Sequence, residues 1–248
     1  MAIVILVRHG RTTANADGIL AGRMPGILLD DRGTEQVARV GQRLAATPLA
    51  TVVTSPLERC QQTAEAIVSA QRHSPAGSTF LTDEGLGECR YGAWTGRPIK
   101  ELAQEPLWRD IQDHPSTVTF PPHDDYESES MVGMQQRAVA AIEARDARIE
   151  AEHGPGAVWV AVSHGDVIKS LVADAFASPL DRFQRIVIDP ASVTIVHRAA
   201  DRPFVLRVND TGSDPVDLTG LSKALTDAAS GPENGSGDAA VGGGAGSD

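Results

Sequence analysis

The chain has 248 residues, room for one α/β domain with insertions or for two small domains. Its 41% hydrophobic content supplies a core, and with aromatics at only 4% that core is built mainly from Val, Leu, Ile and Ala. A formal net charge of −11 and a pI near 5.0 argue against nucleic acid or an anionic membrane as a partner.

Residues 2–7 form a short apolar run rich in β-branched side chains, which predicts a buried strand cut off by Arg8, His9 and Gly10. No basic segment precedes this run, and no other stretch approaches the length of a membrane span. The expectation is a cytoplasmic protein with neither signal peptide nor membrane helix. Residues 18–33 are punctuated by glycine and read as a loop. Asp30 caps the helix that follows, whose apolar positions are Val37, Val40 and Leu44, and Pro48 closes it. Residues 51–54 read as a second core strand. Ser55, Pro56 and Glu58 then predict a helix start, with Ser55 as N-cap, Pro56 in the first position and Glu58 completing a capping box. Leu57, Cys60, Ala64, Ile67 and Val68 form the apolar face of that helix. Cys60 is thus a core residue, and with Cys89 it is expected to be a free thiol.

Residues 77–96 are irregular, with a short strand near Phe80. Residues 97–130 read as an insertion, a lid, carrying one short helix near 99–112. From 130 to 152 the spacing of Met131, Met134, Ala138, Ile142 and Ile149 predicts a long amphipathic helix. Residues 157–162 form a third core strand ended by Ser163, His164 and Gly165. Val167, Ile168, Leu171, Val172 and Phe176 then mark the apolar face of a helix. Residues 192–197 and 203–208 predict a closing hairpin. The domain is therefore expected over 1–208, followed by an acidic tail at 209–248, rich in Gly, Ser and Ala and largely disordered.

Alternating strands and helices predict a largely parallel sheet covered on both faces. Parallel strands deliver their carboxyl ends to one edge, where open α/β sheets bind ligands. Three polar strand ends would meet there: Arg8 and His9, Ser55 with Arg59 one turn on, and Ser163 with His164. Two guanidiniums, two imidazoles and a helix N-terminus make an anion site, and the planar donors of Arg match phosphate oxygens. Asn15 adds a donor. A neutral imidazole beside a bound phosphate attacks phosphorus. A second, protonated His stabilises charge on the transferring oxygens. The leaving alkoxide needs a proton, and Glu88, in a Gly-flanked loop at 86–96, is the candidate acid, with Asp83 and Glu84 as rivals. Alone, Arg8 and His9 would be a salt-bridged strand end and Glu88 a surface loop acid.

The segments LVRHGRTTAN (6–15), TSPLERCQQTA (54–64) and VSHG (162–165) resemble, in order, motifs of the histidine phosphatase superfamily, the phosphoglycerate mutase-like proteins. The Glu88 segment, and Glu129 and Ser130 with Arg137 beyond, are similar in type and order. The resemblance spans roughly residues 3–208. It implies a three-layer α/β sandwich with a mixed, mainly parallel sheet between helices. It implies His9 as the phosphorylated nucleophile, Arg8, Arg59 and His164 as the phosphate pocket with Asn15 assisting, and Glu88 as proton donor and later base. It implies no metal and no organic cofactor. The family often has Gly-Gly before its Glu-Ser, where this chain has PPHDDYES (121–128). Paired lid arginines are common in true phosphoglycerate mutases, and here Arg109 stands alone. The leading expectation is a phosphomonoester phosphatase acting on a small molecule. The alternatives are a phosphomutase, with Arg97, Lys100 and Arg109 either gripping the leaving group or forming a solvated helix face, and a non-enzymatic phosphate-binding scaffold. Family analogy admits a homodimer.

Overall fold

A computed structural model describes residues 2–71, 79–199 and 202–212. The chain opens with β1 (Ile3–Arg8), a one-turn helix α1 (Thr13–Ala16) and α2 (Asp31–Leu44). Asp30 caps α2 as its sequence predicts, its carboxylate accepting from Gly33 N at 2.7 Å. Next come β2 (Thr51–Thr54), α3 (Glu58–Ala70) and a two-residue β3 (Leu81–Thr82). Two short helices follow, α4 (Ile99–Leu102) and α5 (Pro106–Asp113), and then the long α6 (Met131–His153). The chain finishes with β4 (Val158–Ser163), α7 (Gly165–Ala175), β5 (Val193–Arg198) and β6 (Pro203–Asp210).

The six strands form one sheet in the order β3-β2-β4-β1-β5-β6. Strands β1 to β4 run parallel, and β5 pairs antiparallel with both β1 and β6. Side chains alternate between the faces of a strand, and β1 divides accordingly. Ile5 and Val7 pack with Val37, Val40, Ile67 and Val68 of α2 and α3. Val4 and Leu6 pack with Met134, Ala138 and Ile168 of α6 and α7. The result is a three-layer α/β sandwich. No helix among the described residues is long and apolar enough to cross a membrane.

Several local expectations need correction. Ser55 does not cap α3. The backbone stays extended through Leu57 (φ −77°, ψ 140°), the helix starts at Glu58, and no side chain caps it. The single helix expected near 99–112 is two, because Pro106 lacks the N–H that a helix interior requires and instead starts a new helix at its first position. Phe176 is not core: α7 ends at Ala175, the chain turns through Ala177 at φ 51°, and the Phe176 ring is left exposed. Strand β6 runs to Asp210, two residues past the expected boundary at 208. The tail from residue 213 and the stretch 72–78 lie outside the described residues.

Candidate active site

Sheet register assembles the site. Arg8 lies opposite Ser163, and Thr54 opposite Val162, so the parallel strands β1, β2 and β4 end side by side. His9, Ser55 and His164 are the next residues of each chain segment. His9 N donates to Ser163 O at 3.0 Å, and Ser55 N to Val162 O at 2.9 Å. The turn after β1 also needs glycine. A Cβ on Gly10 would lie 2.6 Å from Gly33 O, so α2 packs directly against the backbone that carries His9.

The tautomers of both histidines follow from their partners. His9 Nδ1 lies 2.7 Å from Gly10 O, a group that only accepts. Nδ1 therefore carries the hydrogen, and Nε2 holds a lone pair. Arg59 Nε donates to that Nε2 at 3.3 Å. Arg59 Nη2, 2.8 Å from Gly22 O, also lies 3.2 Å from His164 Nδ1. A guanidinium only donates, so His164 Nδ1 accepts, and its Nε2–H faces Ser55 Oγ at 2.8 Å. The two imidazole centroids are 5.2 Å apart. Glu88 Oε2 is 3.7 Å from His164 Nδ1, and Glu88 Oε1 accepts from Cys89 N at 2.9 Å. Cys60 is core, as its place on α3 predicts, but its sulfur also touches the His164 ring, 3.5 Å from Nε2.

These side chains flank a cavity lined on its polar side by His9, Thr12, Asn15, Arg59 and Glu88. Asn15 Oδ1 accepts from Thr12 N and Thr12 Oγ1 at 3.2 and 3.0 Å, so the Nδ2 group is left to act as the donor. Arg59 Nη1 is buried with no hydrogen-bond partner among the described residues. A buried, unanswered donor of this kind is a cost that an anion would relieve. Neither Arg8 nor His164 lines the cavity. His164 stands behind Arg59. Arg8, expected in the phosphate pocket, is fully buried and donates from Nη1 to Ile188 O at 2.8 Å. The rivals of Glu88 are committed elsewhere: Asp83 pairs with Arg145 at 3.1 Å, and Glu84 with Arg23 at 3.0 Å.

Burial governs the charges. It pushes both imidazoles well below the usual histidine range, and Arg59 lowers each further. For His164 this opposes the protonated state that the sequence reading gives to the second His. Burial pushes Glu88 up to about 7, and the nearby Asp166 charge adds to the shift while Arg59 opposes it. Burial lowers Arg8 to about 10, which still leaves it charged at neutral pH.

Long-range contacts add residues that sequence pattern did not single out for these roles. Arg23 Nε donates to Glu88 O at 2.8 Å. Arg137 donates to Gly85 O at 2.9 Å, Gly87 O at 2.8 Å and Glu88 O at 3.0 Å, and is itself held by Glu129 at 2.7 Å. Two guanidiniums thus hold the loop that presents Glu88. The Glu129 to Arg137 spacing was visible in the sequence as part of a motif, whereas nothing near Arg23 signals its target. Among the described residues no group of three or more His, Cys, Asp or Glu is placed to hold a metal ion.

The fold and the pocket define an α/β protein with two histidines and a buried arginine gathered at the ends of its parallel strands. The model of the histidine phosphatase superfamily (branch 1) matches residues 4–211, and the chain belongs to that superfamily. A probable phosphoglycerate mutase GpmB from Yersinia pestis is 30% identical over 197 residues, covering 79% of this chain and 85% of that protein. YhfR from Bacillus stearothermophilus superposes with a TM-score of 0.71 at 28% identity, over 85% of this chain and 98% of its own. A phosphoserine phosphatase from Entamoeba histolytica shares the fold at 21% identity, with a TM-score of 0.71 over 85% of this chain and 98% of its own.

Proposed function

We propose that the protein hydrolyses phosphomonoesters through a phosphohistidine on His9. The observation that carries this reading is the His9 tautomer: Nδ1 is spent on Gly10 O, and Nε2 keeps its lone pair beside the buried guanidinium of Arg59. A phosphate dianion takes up the donors of Arg59, including the unpartnered Nη1, and the Asn15 amide. Its charge also favours the protonated form of the His164 imidazole, which adds positive charge next to Arg59 as the phosphoryl group transfers. Arg8 contributes its charge from beneath. The carboxylic acid of Glu88 supplies the leaving-group proton.

In the first step Nε2 of His9 forms a bond to phosphorus as the ester P–O bond breaks. The released electron pair goes to the alcohol oxygen, which takes its proton from Glu88. In the second step water attacks phosphorus and gives a proton to the Glu88 carboxylate. The P–N bond breaks, returning neutral His9 and inorganic phosphate. Every charge in this scheme is met by a side chain, so the reading includes turnover without a metal ion. Release of phosphate from an aryl phosphate in the presence of a chelator tests it, with a His9→Ala variant as control; ordinary turnover by that variant would refute it.

A phosphomutase is the second reading, favoured by the name of the Yersinia pestis relative. It would return the phosphoryl group to bound product, so it predicts slow hydrolysis and a long-lived phosphoenzyme. Rapid decay of the phosphohistidine in water excludes it.

A further inference from the structure

The cavity beside His9 has a second, unlike wall, made of Ile19, Leu20, Ala21 and Ile99. Backbone pairing stitches this wall together. Ile19 bridges Pro98, Leu20 N donates to Arg97 O at 2.9 Å, and Ile99 N donates to Gly18 O at 2.8 Å. Ile19 and Ile99 line the cavity while staying partly exposed, which places them at its mouth.

The arginines nearest the lining residues along the chain are already answered by carboxylates. Arg11 pairs with Asp30 at 2.7 Å and Arg23 with Glu84 at 3.0 Å. Arg97, a candidate for gripping the leaving group, pairs with Glu105 at 2.6 Å, and Trp94 Nε1 holds the other oxygen of Glu105 at 2.8 Å. Lys100 is exposed and does not line the cavity. Among the described residues that do, Arg59 is the one cation, and the phosphoryl group claims it. A second anionic group on the substrate would be desolvated against isoleucine with no counter-charge, which is costly.

We propose that the alcohol released by this site is uncharged and apolar, an alkyl or aryl group seated on Ile19 and Ile99. The proposal rests on the phosphatase reading above. It assigns specificity to two side chains that take no part in the chemistry.

The test measures phosphate release from ethyl, butyl, hexyl and phenyl phosphate, and from 3-phosphoglycerate and phosphoserine. It uses the full chain, its His9→Ala control, and the variants Ile19→Ser, Ile99→Ser and Ile99→Arg. The expected result is a kcat/KM that rises with alkyl length, by up to about fourfold per methylene where the added carbon is fully buried. The apolar esters should exceed the two carboxylate esters by about tenfold or more. Both serine variants should flatten the length dependence, and Ile99→Arg should narrow the gap to 3-phosphoglycerate. His9-dependent release that favours the carboxylate esters, or that ignores alkyl length, overturns this inference and leaves the phosphatase reading standing. A length dependence untouched by the Ile19 and Ile99 variants overturns the assignment to those residues. No His9-dependent release from any ester overturns both.

Discussion

Ser55 Oγ lies 2.8 Å from His164 Nε2, while Arg59 Nη2 occupies the other ring nitrogen at 3.2 Å. Together they place the proton of His164 on Nε2 and turn Nδ1 toward Arg59 and Glu88. Ser55 is therefore a positioning residue. In Ser55→Ala the buried Nε2–H keeps only the weaker Cys60 sulfur, 3.5 Å away, and kcat should fall about five- to tenfold, the effect of one lost hydrogen bond. Nitrogen NMR of the imidazole should show mixed tautomers of His164 in the variant and a single one in the parent. An unchanged tautomer would remove Ser55 from this role.

Charge states predict the pH profile. His9 must be neutral to attack, and its pKa is pushed well below the ordinary histidine value by burial, Arg59 and Arg8. The acid limb of kcat/KM should therefore lie below pH 6.5. Glu88 must be protonated to donate, and burial holds it at about 7. Raised pKa means the acid form persists up to that pH and is lost above it, so kcat/KM should decline above pH 7. Glu88→Gln should remove the alkaline limb and lower the rate about 10²- to 10⁴-fold for an alkyl ester. The loss should be smaller for a nitrophenyl ester, whose leaving group needs little protonation.

The Glu88 loop depends on Arg137. Its guanidinium meets three carbonyls of the loop and the Glu129 carboxylate. Arg137→Ala leaves these acceptors unanswered and should cost about 2 kcal/mol in urea unfolding, after allowance for partial exposure. Arg137→Lys should recover only part of that, because a point charge does not reproduce the planar fork. In both variants kcat for alkyl esters should fall more than KM rises.

Gly33 sits under the Arg11 carbonyl, where an added Cβ would lie 1.9 Å from the oxygen. Gly33→Ala forces α2 away from the loop that carries His9. Destabilisation of about 1–3 kcal/mol is expected, the usual range for overpacking, with a parallel loss of activity. Thermal unfolding and turnover measured on the same sample check both.

Features set by neighbouring residues were legible in the sequence. The apolar run of β1 followed by Arg8 and His9, the Asp30 cap and the period of α6 all depend on local spacing. Sheet parity then accounts for three layers, and parallel strand ends account for the approach of His9 and His164. What escaped depends on contacts across the chain. Ser55 has the composition of a helix cap, yet its hydroxyl serves His164, 109 residues away. The pairing of Arg97 with Glu105 likewise has no signature in the local spacing. Arg23 reaches Glu88 O across 65 residues.

The most direct measurement is a rapid quench after mixing the protein with phenyl phosphate, followed by mass analysis of the peptide carrying His9. One phosphoryl group should appear on that imidazole, formed before the first turnover completes, decaying in water at the turnover rate, and absent in His9→Ala. Steady phosphate release with His9 never phosphorylated would contradict the phosphohistidine reading.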